Sequence, residues 1–380
     1  MEKKIFRRKS VREITIERVQ QWKCISCKAS FIFRRSSGKR TQYTETFIKE
    51  TVSDFVMGGS HRRIQERREV SIGTLSSWIH EYGGRCMSPV EIAEYLHLPE
   101  QNKWSGILLL DGKYLNCHMV LLLAVDYRTQ DVVSWRVAEN ESQDNYKQLI
   151  TDVQNCGYII KALISDGGTG IRALTQKKKP SFIRIGSRPY PRPGVSPAKE
   201  QTVFLSGVPH QWCIVHAQRE LLKYVRTKAK KEEREKLTLL VNQILFSSTL
   251  IRAEKVRKKL NTYGYINYSE AAKRLTNIIS SYWKLLIAHY TVRVGRFKIP
   301  PTTNVIENII SNLNTRLKTM KKIKTKKSAE AICRLIVLKY RLKPLVDSQD
   351  RQKRNKSPLE LSIKKKGKLN WYLFIKKSCR

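Results

Sequence analysis

The chain has 380 residues, 41% of them apolar, so it can bury a substantial core and is long enough for two or three domains, which excludes a disordered tail. It carries 74 Lys and Arg against 32 Asp and Glu, a net charge of +42, and a surplus of that size opposes compaction unless a polyanion neutralises it. Nucleic acid is the expected partner, because the chain has neither the long amphipathic basic helix nor the lipidation signal that would point to an anionic membrane.

No apolar run reaches the roughly 18 residues of a membrane span. The start, "MEKKIFRRKS", lacks the apolar core of a secretory signal. A cytoplasmic, nucleoid-associated protein is therefore expected. Its eight cysteines then read as thiols or metal ligands before disulfides.

Residues 1–40 form a basic arm containing "WKCISCKASFIF". The Cys24-x-x-Cys27 pair, flanked by Trp22 and Phe31, has the shape of one zinc knuckle. Tetrahedral Zn2+ takes four ligands, and no second pair stands upstream, so a zinc site and a metal-free remnant are both open. Residues 41–86 turn helical: a first helix with Phe47, Val52 and Phe55, a Gly58-Gly59 stop, and a short helix with Ile64. Ser71 then caps a helix bearing Leu75, Trp78 and Ile79. In so basic a chain this spacing predicts a helix-turn-helix whose third helix enters a DNA major groove, although a helical linker bundle has the same pattern. Cys86 to Lys103, with Pro89 and Pro99, reads as a connector.

Residues 104–216 change character. "ILLLD", "HMVLLLAVD" and "DVVSWRVAE" are three apolar strands joined by short polar turns, the pattern of an antiparallel meander. "SQDNYKQLITDVQNCG" has the helical period, "YIIKALISDGG" is another buried strand, and "TGIRALTQ" opens a further helix. That order predicts an α/β fold with a mixed sheet covered by helices. Residues 177–200, "KKKPSFIRIGSRPYPRPGVSPAKE", read as a long exposed loop suited to phosphates. An all-helical stretch over 217–300 follows, then a helix starting near Thr303 within residues 301–340, and a basic tail over 341–380.

Asp111 and Asp166 each terminate an apolar strand, and the intervening strands and crossover helix place the two strands side by side. Carboxylates at neighbouring strand ends repel unless a cation lies between them, and Mg2+ is the hard, oxygen-seeking ion such a site selects. Glu307, early in a helix whose Ile306, Ile309, Ile310 and Leu313 can pack on the sheet, would complete a two-metal site. Taken singly, each acid is equally a turn former or a solvated helix residue. Cys213 and His216, three residues apart, share a helix face and read as structural support for the site, with a zinc role short of ligands. Trp212 and Arg219 beside them could touch DNA or pack.

The stretches "ILLLDGKYL", "ESQDNYKQLITDV", "ALISDGGTGIRAL", "QWCIVHAQREL" and "TTNVIENIISNLNTRLKTM" together resemble insertion-sequence transposases of the Mutator superfamily, the prokaryotic relatives of Mutator-like elements, over roughly residues 104 to 335. The resemblance implies an RNase H-like catalytic domain with a DDE triad, interrupted by an all-helical insertion between the second Asp and the Glu. Asp111, Asp166 and Glu307 match the triad by position, and Cys213-Ile-Val-His216 matches the family's Cys-x-x-His signature. The chain departs from the pattern in its long Pro-rich loop and in having only half a zinc ribbon.

The expected function is a DNA transposase that binds terminal inverted repeats and, with two Mg2+ ions or Mn2+ in their place, cleaves a strand and joins its 3′-hydroxyl to target DNA. At least a homodimer on double-stranded DNA is implied. A catalytically inactive repressor and a nuclease that cuts without joining are the rival readings.

Overall fold

A computed structural model describes residues 43–115, 118–176, 203–318, 325–364 and 369–376, together with the backbone of short hairpin strands outside those ranges. The chain divides into two compact units, 1–84 and 85–380.

In the first unit, β1 (Phe6–Lys9) pairs antiparallel with β2 (Ile14–Glu17), and β3 (Gln21–Lys23) with β4 (Ser30–Ile32). Cys24 and Cys27 lie outside the described residues. Three helices follow: α1 (Glu45–Val56), α2 (His61–Arg68) and α3 (Ile72–Arg85). Each start has a hydroxyl cap, from Thr44, Ser60 and Ser71, that accepts a backbone N–H of the first turn. Val52, Phe55, Ile64, Leu75 and Ile79 are buried, so the apolar positions of the pattern form one small core. Arg68 donates to Asp54 at 2.7 Å and to Glu50 at 2.9 Å, fastening α2 to α1.

The second unit opens with α4 (Pro89–Tyr95) and α5 (Leu98–Gln101), where a connector was expected. Both prolines begin helices rather than break the chain, since the first turn needs no N–H there. Ser88 and Glu91 form a reciprocal capping box, and Ala93 and Leu98 join the main core.

The core sheet has five strands in the order β11-β8-β5-β6-β7. They are β5 (Ile107–Tyr114), β6 (Val120–Asp126), β7 (Val132–Ala138), β8 (Ala162–Ser165) and β11 (His210–Trp212). The first three form an antiparallel meander, while β8 runs parallel to β5 and to β11. Every residue of β6 and β8 is buried, and for that reason they read as unbroken aliphatic runs instead of alternating ones. α6 (Gln143–Asn155) crosses between β7 and β8, laying Tyr146, Leu149, Ile150 and Val153 on the sheet, and α7 (Thr169–Thr175) follows β8. The 177–200 loop falls outside the described residues except for the backbone of a hairpin, β9 (Ile183–Ile185) with β10 (Arg188–Tyr190).

Five helices come next: α8 (Ile214–Lys228), α9 (Lys231–Leu245), α10 (Leu250–Ile266), α11 (Glu270–Ser281) and α12 (Trp283–Thr291). Their buried Leu221, Leu237, Val241, Leu260 and Leu275 make a separate core. The expected all-helical stretch closes with a small hairpin, β12 (Arg293–Val294) and β13 (Phe297–Lys298). The chain then returns to the sheet as α13 (Asn304–Leu317), packed on β5, and α14 (Lys326–Leu342), packed on β7.

Residues 341–380 are more than a basic tail. Leu359 of α15 (Pro358–Ser362), Ile363, Trp371 and Phe374 are buried, and Ile363 and Ile375 bridge to Asn102 and Cys86. A few large apolar side chains hold this segment down while its Lys and Arg stay solvated. The four described cysteines, Cys86, Cys156, Cys213 and Cys333, are buried and form no disulfide among the described residues. Among the described residues, no helix is long and apolar enough to cross a membrane.

Arg341 and Asp131, 2% and 0% exposed, form a bidentate pair at 2.7 and 3.0 Å that ties α14 to the start of β7. Removing one member of a buried pair strands the other charge, so Arg341→Ala should lower stability by about 3–5 kcal/mol in denaturant unfolding. A loss under about 1 kcal/mol would show that water already screens the pair.

Candidate active site

The strand register brings Asp111 and Asp166 together. Leu110 pairs with Ser165 across the parallel β5–β8 ladder, so the next residue on each strand, Asp111 and Asp166, stands at the same level. Asp166 does end its strand. Asp111 does not: β5 continues to Tyr114, because β6 extends its pairing as far as Tyr114↔Val120, and Asp111 sits in mid-strand opposite Leu123.

Asp126, another acid at the end of an aliphatic run, shows what a structural carboxylate looks like here. It is fully buried and accepts six hydrogen bonds, two from Ser105, two from Thr129, one from the Arg128 N–H and one from the Tyr158 hydroxyl. Asp111 accepts one, from the Gly112 N–H at 2.8 Å, and Asp166 one, from the Gly168 N–H at 2.9 Å. Most of their lone pairs remain available to a cation.

Burial, reinforced by the charge of Asp166, pushes the Asp111 carboxyl up to about 7. Burial and Asp166 also raise Glu141, which stands just before α6. Trp212 donates its indole N–H to the Asp166 carbonyl at 2.6 Å. Gly167, at φ +81°, lets the chain turn there, and a Cβ at this position would lie 2.2 Å from the Trp212 Nε1. Trp212 therefore packs, whereas Arg219 is exposed.

Glu307 lies in the first turn of α13 and accepts from the Thr303 hydroxyl at 2.6 Å. The Thr303 N–H in turn donates to the Cys213 sulfur at 3.4 Å. His216, one turn along α8, places its Nδ1 3.8 Å from the Glu307 carboxylate. Cys213, His216 and Glu307 are a set whose donor atoms all lie within 4.8 Å of one another; Asp111 and Asp166 are outside it. His216 is raised first by its hydrogen bond with Cys213 and also by the charges of Glu307 and Asp166, and its own charge in turn lowers Asp111, so it joins the two groups electrostatically. For Cys213, burial opposes ionisation, but hydrogen bonds with His216 and Thr303 outweigh it and bring the thiol down to about 7.

Two participants carried no signal of their own in the sequence. Thr303 looks like an ordinary helix start, and Glu141 like an acid preceding an N-cap serine. The glycines around Asp111 and Asp166 were the only trace of Glu141, and their meaning depends on what lies opposite them.

Residues 199–341 match the sequence model of the transposases of the Mutator family. The match spans 143 of the 380 residues, less than half of the chain. That segment contains Cys213, His216 and Glu307, while Asp111 and Asp166 precede it. No curated protein matches the chain. Among solved structures, the Drosophila P element transposase strand transfer complex aligns over 86% of this chain and 91% of that one, at 12% identity and a TM-score of 0.27, too loose a superposition to transfer any detail.

The state of Asp111 can be read in the metal-free protein. A folded-state value near 7 against an ordinary 3.8 means that the folded chain keeps a proton the unfolded chain releases between those values. This contribution to stability is present in acid and is lost as pH rises towards 7. In EDTA, Asp111→Asn should therefore melt higher than the parent at pH 8 and at about the same temperature at pH 4. An equal difference at both pH values would reject the assignment.

Proposed function

We propose that the chain is a DNA transposase that binds the ends of its element and carries out metal-dependent strand cleavage and strand transfer on an RNase H-like core. The observation that carries this reading is the level placement of Asp111 and Asp166 on adjacent parallel strands, with the Glu307 helix packed on the same β5, in a chain that bears a Mutator-family segment. The sheet order, three antiparallel strands followed by two parallel ones beyond β5, and the helical insertion before Glu307 both support it.

The donor set fits Mg2+ or Mn2+: oxygen ligands with free lone pairs, held by a rigid sheet at a spot where they destabilise each other without a cation. Divalent ions bound there would polarise the scissile phosphate and activate the attacking water or 3′-hydroxyl. Asp111 and Asp166 would hold the ions from the sheet. Glu307 approaches from α13, with its carboxylate oriented by Thr303 and with His216 beside it. Cys213 holds the Thr303 backbone and so fixes where α13 begins. No protein nucleophile is needed, because water and the freed hydroxyl are the attacking groups.

In the first unit, α2 exposes Arg62, Arg63 and Arg67, and α3 exposes Ile72, Gly73 and Ser77 just after its cap Ser71, a face on which the small Gly73 and Ser77 let the helix lie close to base edges. We assign these helices to recognition of the terminal repeats as a helix-turn-helix. The +42 charge is assigned to phosphate contacts on element and target DNA. Bringing two ends together implies at least a dimer on DNA.

Labelled element ends incubated with target DNA and Mg2+ or Mn2+ separate the readings: joined product for a transposase, cut ends alone for a nuclease, bound DNA alone for a repressor. Asp166→Asn should abolish cleavage and joining while DNA affinity stays within about twofold, and undiminished cutting would overturn the site. Thr303→Val removes the hydrogen bond that orients Glu307 and should slow cleavage by about 10–100-fold. Affinity for DNA should fall on the order of 10³-fold between about 50 and 200 mM salt, and a flat dependence would remove phosphate neutralisation from the account.

A further inference from the structure

We propose that Cys213, His216 and Glu307 form a site for a Zn2+ ion, which ties the start of the helical insertion to the helix that follows it. The Cys213 sulfur, a His216 ring nitrogen and a Glu307 carboxylate oxygen all lie within 4.8 Å of one another. The His216 Nδ1 already stands 3.8 Å from the Glu307 Oε1. Tetrahedral Zn2+, about 2.3 Å from sulfur and about 2.0–2.2 Å from nitrogen or oxygen, sets its donors roughly 3.3–3.7 Å apart. A small side-chain rotation closes the remaining difference. Cys213 is fully buried, whereas the His216 and Glu307 side chains are 27% and 41% exposed, so an ion enters from the solvent side and keeps a fourth position for water.

The donor set selects the ion. A thiolate with an imidazole favours Zn2+, whereas Mg2+ takes oxygen ligands. The Cys-x-x-His spacing supplies two ligands, and folding adds the third from α13. Contacts outside the set hold it in place. The Thr303 N–H donates to the Cys213 sulfur at 3.4 Å, the kind of bond that steadies a metal-bound thiolate, and the Thr303 hydroxyl donates to the Glu307 Oε1 at 2.6 Å. The His216 Nδ1 is shut off from water. In the metal-free chain a hydrogen bond between Cys213 and His216 occupies the position, and an incoming ion displaces its proton.

Cys213 caps α8, where the insertion begins, and Glu307 lies in the first turn of α13, which follows it. The main chain is joined at the same spot, since the Ile214 N–H donates to the Pro301 carbonyl at 3.0 Å. An ion here closes the base of the five-helix insertion. The site needs neither Asp111 nor Asp166, so it goes beyond the Mg2+ reading above and does not depend on it. Glu307 is common to both, and the two oxygens of its carboxylate leave it able to serve an ion on either side.

The test uses the full chain without DNA, carrying Cys24→Ser and Cys27→Ser so that the N-terminal pair supplies no thiolate, and Co2+ alone as a coloured stand-in for Zn2+. Co2+ should bind with the charge-transfer absorption of a cobalt thiolate and the strong visible bands of a four-coordinate ion, and Zn2+ should displace it. Cys213→Ser should abolish the charge-transfer band, and His216→Ala and Glu307→Gln should each weaken Co2+ binding by about tenfold or more. Zn2+ should raise the melting temperature of the parent, because it binds the folded chain, by more than it raises that of His216→Ala. A Co2+ spectrum without thiolate absorption, or one that Cys213→Ser leaves unchanged, would overturn the assignment. Asp166→Asn separates the two metal readings: it should keep the Co2+ spectrum, and loss of that spectrum would put the ion at the aspartates and reject this site. Should Cys213→Ser melt well below the parent in EDTA, the exposed Glu307→Gln decides, and unchanged Co2+ affinity there would again overturn the proposal.

Discussion

Two like charges held at one level on adjacent strands organise this part of the molecule. The parallel β5–β8 register, paired from Ile107↔Ala162 to Leu110↔Ser165 between buried strands, sets Asp111 and Asp166 at one level. The core holds the two carboxyls there, and burial first, with the Asp166 charge added to it, raises the Asp111 carboxyl. Perturbed carboxyls of this kind cluster at functional sites, which supports the proposed cation between the two groups.

Around that confrontation the supporting contacts are short and specific. Trp212 on β11 holds the Asp166 carbonyl, and Gly167 makes room for the indole. Cys213, the next residue, reaches across to Thr303 and through it to Glu307. One strand end thus positions both the second aspartate and the returning glutamate, which explains why the Cys-x-x-His pair belongs to the architecture of the site. Asp126 and Asp131 are acids of similar local sequence context, but their oxygens are consumed by N–H, hydroxyl and guanidinium donors, and they hold turns and helices instead.

Much of this was legible in advance. Unbroken aliphatic runs ending in acids located β5, β6 and β8, and hydroxyl caps with helical spacing located α1 to α3 and α13. The misreadings have physical causes. Pro89 and Pro99 make residues 86–103 read as a connector, yet each sits in the first turn of a helix, where no N–H is needed. The C-terminal charge concealed Leu359, Ile363, Trp371 and Phe374, a small number of apolar contacts that net charge does not reveal. A carboxylate that interrupts the apolar run makes Asp111 read as a strand end, yet backbone pairing with β6 does not depend on side-chain polarity and carries β5 on to Tyr114.

The sequence by itself determined most element types and the basic character, and singled out Asp111, Asp166 and Glu307 as candidate acids, because periodicity, charge and motif order are local or additive properties. Only the tertiary structure decided that Asp126 is saturated while Asp111 is not, that Glu141 lies on Gly112, and that Thr303 connects Cys213 to Glu307. Those are relations between residues far apart in the chain. A carboxylate's role depends on which donors and charges surround it after folding, and no stretch of sequence carries that information alone.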